Sequence, residues 1–334
     1  MKKSILSLLF LPVLAIASQA QEFKAEFRVP LSEIMLSDPF IFADEIDNTY
    51  YMYGSGGNGM VMARASKDLV NWTDRFVVYR FPASHWAGEK APCWAAEVHK
   101  YKGKYYLFTT SDDRKPMGKN ARGEDYPRRA TQIYVADSPK GPFRDFTGNR
   151  QHTPMEWPSL DGTLWIEKGK PYMIFCREWT QTMNGTVEAV RLPGDLGVPR
   201  SKPFTLFTGF DAPYITDTVP GEKTAYVTDG CYLFTTGTGR IGMIWSSWKG
   251  DDYVLMAAYS PSGKLKGPWV QDDELLFEKN GGHGMLFRTF EGQQMLSMHY
   301  VDPSKKGSGR KPMFIEVDTS GDKLIFRNNG RILK

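Results

Sequence analysis

An all-β fold, arranged as a five-bladed β-propeller, is predicted by three features of this 334-residue sequence. Apolar residues spaced by three and four, the mark of an amphipathic helix, are almost never sustained. In their place stand short runs rich in Val, Ile, Tyr, Phe, Trp and Thr, divided by Gly, Pro, Asn and Asp, which read as strands and turns. The runs also recur: new units open near Leu36, Trp94, Ser159, Val227 and Gly282. Five units of roughly fifty to seventy residues suit sheets fanned around an axis, with the first strand of each lining a central channel. A β-sandwich is the alternative for a strand-rich chain, but it gives the repeats no reason to keep phase.

Residues 1–20 stand outside the repeats. Lys2 and Lys3 precede an apolar run, Ile5 to Ala17, and Ser18-Gln19-Ala20 forms a small-x-small cleavage site. This reads as a secretory signal peptide, so the expected protein is exported to the periplasm or cell exterior and begins at Gln21. The apolar run is short for a membrane span, and no Cys follows the cleavage site to signal a lipid anchor. Residues 21–334 are expected to form a single domain.

Within each unit the order is a polar turn, an apolar strand, a glycine-centred hairpin and an aromatic strand. The phrases "VHKYKGKYYLFTT", "LWIEKGKPYMIF", "LFTTGTGRIGMIWSS" and "LFRTFEGQQMLSMH" share it. Gly103, Gly169, Gly239 and Gly292 fall where a hairpin needs positive φ. The outer corners carry "SKDLVNW", "SPKGPF" and "SPSGKLKGPW"; Trp72, Trp269 and Trp245 read as packing between sheets. The segment 110–129 is long, charged and irregular, a rim loop or a flexible insertion.

The formal net charge is +4, or +2 without Lys2 and Lys3, and argues for no nucleic-acid partner. Nine Trp suit sugar stacking as well as strand packing. Cys93, Cys176 and Cys231 allow at most one internal disulfide. Cys176 and Cys231 lie in strand-like runs and read as buried free thiols.

Each unit opens with a polar residue where its inner strand begins: Asp38, Glu97, Asp161, Asp229 and His283. A propeller would bring all five to one axial spot. Crowded, partly buried carboxyls cannot all ionise, so at least one keeps its proton beside an ionised neighbour. One proton donor facing one base is what hydrolysis of a glycosidic bond requires. Singly, each Asp would be read as capping its own turn. As a phased set, with Trp94, Trp157 and Trp179 nearby, they read as a sugar site.

The phrases "SDPFIF…YYMYGS", "WAAEVHKYKGKYYLF", "SLDGTLW" and "GGHGMLF" resemble the repeated signatures of glycoside hydrolase family 43, from about Leu31 to the end. The resemblance implies a five-bladed, inverting glycoside hydrolase acting on arabinose-, xylose- or galactose-containing plant polysaccharide or oligosaccharide, with exo action on arabinofuranosyl side chains as the first expectation. It implies that Asp38 is the general base and that Asp161 orients the acid and adjusts its pKa. The family acid is a glutamate in a Glu-Gly-Pro-Tyr-like phrase; "TDGCYLF" puts Asp229 there. Aspartate places its oxygen about 1.5 Å short, a misplacement that can cost about a hundredfold in rate. Three outcomes stay open: the backbone compensates, the acid is Glu178 or Glu97, or the protein is a weakly active or non-catalytic sugar-binding propeller.

Glu97, Trp94, Trp157, Trp179 and His283 are the expected substrate contacts, Glu97 having partnership with a nearby Arg or Lys as its alternative. Arg177 and Glu178, adjacent on a strand, face opposite sides. His283 resembles an axial Gly-His-Gly histidine that holds a hydrated calcium in some relatives; a hydrogen-bonded histidine without metal is the alternative, and no cofactor is expected to be required. Arg310, in "DPSKKGSGRKPMF", reads as a solvated loop residue, with reach to the sugar ring as the alternative.

Overall fold

The computed structural model describes residues 26–213, 215, 225–302, 304, 307, 309–327 and 332–333. The expected signal segment, residues 1–20, lies outside them.

Among the described residues the strands form five antiparallel sheets, each a blade. The first blade is built on Phe40–Asp44, Thr49–Tyr53 and Met60–Ser66; the second on Trp94–Tyr101, Lys104–Lys119 and Asp125–Ala136. The third comprises Ser159–Glu167, Lys170–Arg177, Thr186–Arg191 and Phe204–Thr208; the fourth Asp229–Thr235, Ile241–Lys249, Asp252–Ser260 and Val270–Gln271. The fifth holds Gly281–Arg288, Gln294–Tyr300, Lys311–Asp318 and Ile325–Phe326. The innermost strand of each blade touches that of the next, and the fifth touches the first, so the ring is closed. This is the predicted five-bladed propeller. Its closure is reinforced where Ser297 Oγ donates to Pro39 O (2.7 Å) and the Phe290 amide to Tyr50 Oη (2.8 Å).

The predicted hairpins are present. Lys102-Gly103 and Lys168-Gly169 both hold positive φ, the pairing that fits the twist of a two-residue turn. Hydrophobic clusters fill the gaps between blades. Phe108 and Ile133 meet Met173 and Phe175 between the second and third blades. Val187 and Ala189 meet Met243 and Trp245 between the third and fourth. Trp72 and Trp245 are wholly buried, and truncating either to Ala would cost about 3–5 kcal/mol. Trp269 packs against the same core as Trp245. All three cysteines are free and buried.

One expectation is corrected. The segment 110–129 is no irregular loop: it extends the second blade as a long hairpin, with Thr110 paired to Thr131 and Lys119 to Asp125. Its charges alternate with Pro and Gly, which hides the strand period. The ladder slips between Asp112 and Pro116 for the same reason, since Pro has no amide to donate.

Candidate active site

Each inner strand opens with the same device. The ladder slips between Trp94 and Glu97, Leu160 and Thr163, Asp229 and Tyr232, and Gly282 and Met285. Inside each slip one residue is left-handed: Ala95 (φ 43°), Asp161 (56°), Gly230 (55°) and His283 (54°), with Asp38 (56°) in the same place on the first blade. A bulge of this kind bends the strand and re-aims its side chain, here toward the axis. The true phase positions are therefore Asp38, Ala95, Asp161, Gly230 and His283. Glu97 lies two residues past its blade's position and Asp229 one residue before. At Gly230 a Cβ would lie 2.8 Å from His283 Cγ, so the axial slot of the fourth blade is taken by the imidazole.

The amides of these residues are held by a second repeating device. The residue opposite the start of each slip is Thr110, Cys176, Ser246 or His299 on the second strand, and on the first blade Ser55, just past its second strand and bonded through its amide to Ser37 O. Its side chain reaches the axial amide of the following blade. The Ala95 amide donates to Ser55 Oγ (2.8 Å), Asp161 to Thr110 Oγ1 (2.9 Å), His283 to Ser246 Oγ (2.8 Å) and Asp38 to His299 Nδ1 (3.1 Å). Only the step from the third blade to the fourth differs among the described residues. There the Gly230 amide donates to Asp161 Oδ2 (2.9 Å).

Around the axis lies a cavity of about 380 Å³ whose lining includes Asp38, Asp161, Asp229 and His283. The sequence-predicted Trp94, Trp179 and Glu178 also line it. Asp161, Asp229 and His283 each place one ligand-type atom within 4.8 Å of the others. His283 Nδ1 lies 3.4 Å from Asp38 Oδ1 and 3.8 Å from Asp161 Oδ2, so it stands between the two carboxyls.

The environments drive the carboxyls apart. Burial opposes charge on Asp38, but His283, His299 and a hydrogen bond from the Ser55 hydroxyl overcome it and hold Asp38 far below the usual carboxylate range. Burial pushes Asp161 up to about 7; its bonds to Asp229 and the Gly230 amide resist, while Asp38 and Glu97 add to the rise. Asp229 is driven up furthest, first by burial and then by Asp161 beside it, against His283 and the Tyr253 hydroxyl, which donates to Oδ2 at 2.8 Å. The surroundings thus favour the carboxylate at Asp38 and the protonated form at Asp229, so a candidate base and a candidate acid line one cavity.

Three sequence expectations are corrected. Glu97 does not line the cavity: it is buried and pairs with His99 Nε2 at 2.8 Å, two residues along on the same face of its strand. Trp157 does not line it either; its ring carries the Arg177 guanidinium at 4.2 Å. Arg310, read as solvated, lines the cavity, its loop drawn in as the Leu36 amide donates to the Arg310 carbonyl (2.9 Å). Glu178 does face inward and Arg177 does not, as strand alternation requires, but Glu178 is ion-paired to Arg129. Arg129 also pairs with Asp112 (2.8 Å) and stacks over Trp94 (4.5 Å).

Sequence reasoning missed Ser55, His299, Tyr253, Arg129 and Trp248, all lining residues. Ser55 and His299 had a signal, a polar residue at a fixed offset after each hairpin. Tyr253 and Arg129 sit on third strands, where no repeat marks them.

As for a cation, Asp161, Asp229 and His283 supply three donors, one of them nitrogen, against the roughly six to eight oxygens that calcium takes. Calcium fits these residues only as a largely hydrated ion.

A family model described as glycosyl hydrolases family 43 matches residues 27–324. The chain belongs to this family. It is a glycoside hydrolase. An endo-arabinase from Bacteroides thetaiotaomicron VPI-5482 is 35% identical, with TM-score 0.76 over 86% of this chain and 96% of that one. A thermostable family-43 glycoside hydrolase (16% identity, TM-score 0.73, 92% and 98% covered) shares the fold. So does an α-L-arabinofuranosidase from Lactobacillus brevis (18%, 0.65, 91% and 97%). No match to a curated protein was found.

Proposed function

We propose that this family 43 hydrolase is exported and cleaves arabinan-type plant polysaccharide with inversion. One observation carries the chemistry: Asp38 and Asp229 line the same cavity as His283 and Asp161, and their surroundings favour the carboxylate at Asp38 and the protonated form at Asp229. In the proposed reaction Asp38 takes a proton from water as its oxygen attacks the anomeric carbon. Asp229 passes its proton to the departing glycosidic oxygen. Asp161 shares the acid's proton before transfer and accepts the Gly230 amide, which fixes its orientation. Inversion calls for carboxyls about 6.5–9.5 Å apart, leaving room for the water. No step passes through a metal.

Trp94 and Trp179 are the proposed stacking surfaces, and Arg310 the cation that meets ring hydroxyls. Glu178, paired to Arg129, is a wall residue rather than the acid. Internal attack on arabinan is favoured over the exo action first expected, because the 35% identical relative is an endo-arabinase. Export rests on residues 1–20.

The test is proton NMR of the first product formed from arabinan, with chromatography of chain lengths. An inverted anomer and a ladder of oligosaccharides support the reading. A retained anomer, or tight oligosaccharide binding with no turnover of arabinan, xylan or galactan, overturns it. Recovery of protein beginning at Gln21 from the medium or periplasm tests export.

A further inference from the structure

The ring of amide bonds around the axis has one step unlike the others, and that step falls between the two carboxyls that share a proton. In four steps a serine, threonine or histidine side chain accepts the axial amide of the next blade. In the fifth the residue in that place is Cys176, opposite Leu160 in the ladder. A thiol is a weak acceptor, and this one lies against the thiol of Cys231, which itself donates to the Asp161 carbonyl at 3.6 Å. The Gly230 amide is left to the Asp161 carboxylate.

We infer that Cys176 matters by what it does not offer: with no strong acceptor at this one place in the ring, the Gly230 amide is left to Asp161, whose carboxyl it fixes beside Asp229. The inference rests on the catalytic reading of these two aspartates. It needs no thiol chemistry, and Cys176 touches no substrate. Its reach is fixed by the molecule itself, since Ser55 and Ser246, in the equivalent places, span to their amides at 2.8 Å. A serine substituted for Cys176 would be expected to do the same and take the amide from Asp161.

The titratable groups facing Asp161 are Asp229, Asp38, Glu97, His283, Tyr253, Cys231 and Cys176 itself. Substitution of Cys176 removes its own thiol and the contact that thiol makes with Cys231, a loss the serine and alanine variants share, and leaves the other groups in place. Losing the amide donor raises the proton affinity of Asp161, so the shared proton moves toward Asp161 and away from the leaving group. The pair as a whole then holds its proton to higher pH.

The test compares Cys176→Ser with Cys176→Ala, using arabinan hydrolysis across pH and a crystal structure of each. The serine variant is expected to lose about tenfold or more in kcat, as for a charge-assisted hydrogen bond. Its KM should stay close to that of the parent, and its alkaline limb should move up. The alanine variant, with no acceptor, should keep the parental kcat and limb. In its crystal structure the Gly230 amide should face Asp161, whereas in the serine variant it should face the introduced hydroxyl. A serine variant with parental kcat and limb overturns the inference, as does an alanine variant impaired equally. If instead Asp161→Asn leaves the parental enzyme unimpaired, it is the catalytic reading that fails, and the crystal structures still decide where the amide points.

Discussion

Replacing Asp161 by Asn removes the charge that holds the proton on Asp229 while keeping size and the Gly230 contact. A unit charge within 4.8 Å of Asp229, at an effective dielectric constant of about 20, is worth at least about 3.5 kcal/mol. At about 1.4 kcal/mol per pH unit, the alkaline limb of kcat/KM should fall by about 2.5 units or more. Burial still acts on Asp229, so the limb should stay above the range of a free carboxylate. Rate should drop as well, by about a hundredfold, through loss of the partner that orients the acid. Stability should change in the opposite sense. Asp161 has its folded pKa raised from 3.8 to about 7. The unfolded chain therefore releases this proton first, and the group costs stability progressively between pH 4 and 7, and fully above 7. Asp161→Asn should then melt higher than the parent above pH 7 and nearly alike below pH 4. The assays are initial rates on arabinan from pH 4 to 9 and thermal melts at both ends. An alkaline limb that stays put or rises would refute the coupling of the two carboxyls.

Other substitutions separate the remaining roles. Asp38→Asn and Asp229→Asn should each lower kcat by about a hundredfold or more, whereas Glu97→Gln, outside the cavity, should leave it within a few-fold; the reverse ranking in steady-state kinetics would reassign the acid. Tyr253→Phe keeps the ring stacked on His299 (5.5 Å between centroids) but deletes the donor to Asp229; the alkaline limb should rise, and pH-rate profiles that coincide with the parent would argue against it. Trp94→Ala strips the face over which Arg129 stacks, so KM for oligosaccharides should rise several-fold; isothermal titration on an inactive Asp38→Asn background measures it directly. Thiol reagents should label no cysteine in the native protein and all of them in denaturant, because Cys93, Cys176 and Cys231 are free and buried.

Much of the scaffold was legible because a propeller repeats local physics. Each blade needs its own hairpin and its own strand opening, so Gly103, Gly169, Gly239 and Gly292 and the acids Asp38, Asp161 and Asp229 recur at spacings a reader can find. The fourth blade's Asp-Gly was legible as a strand opening for the same reason. What failed to show was anything set across blades. Glu97 looked equivalent to the others by its place in a phrase, yet it lies past the bulge at Ala95 and pairs with His99. Trp157 looked like a stacking platform, but the closed ring leaves it outside the cavity, packed against Phe108, Met173 and their neighbours between the second and third blades.

The sequence by itself thus determined the number of blades, the hairpins between their strands, and which acids stand at the strand openings, since each depends on residues within one repeat. Only the tertiary structure decided which carboxyls are pushed toward their protonated form and which toward the carboxylate. That depends on burial and on distances between blades, from Asp161 to the Gly230 amide and from Tyr253 to Asp229, and no local spacing encodes a distance that exists only once the ring has closed.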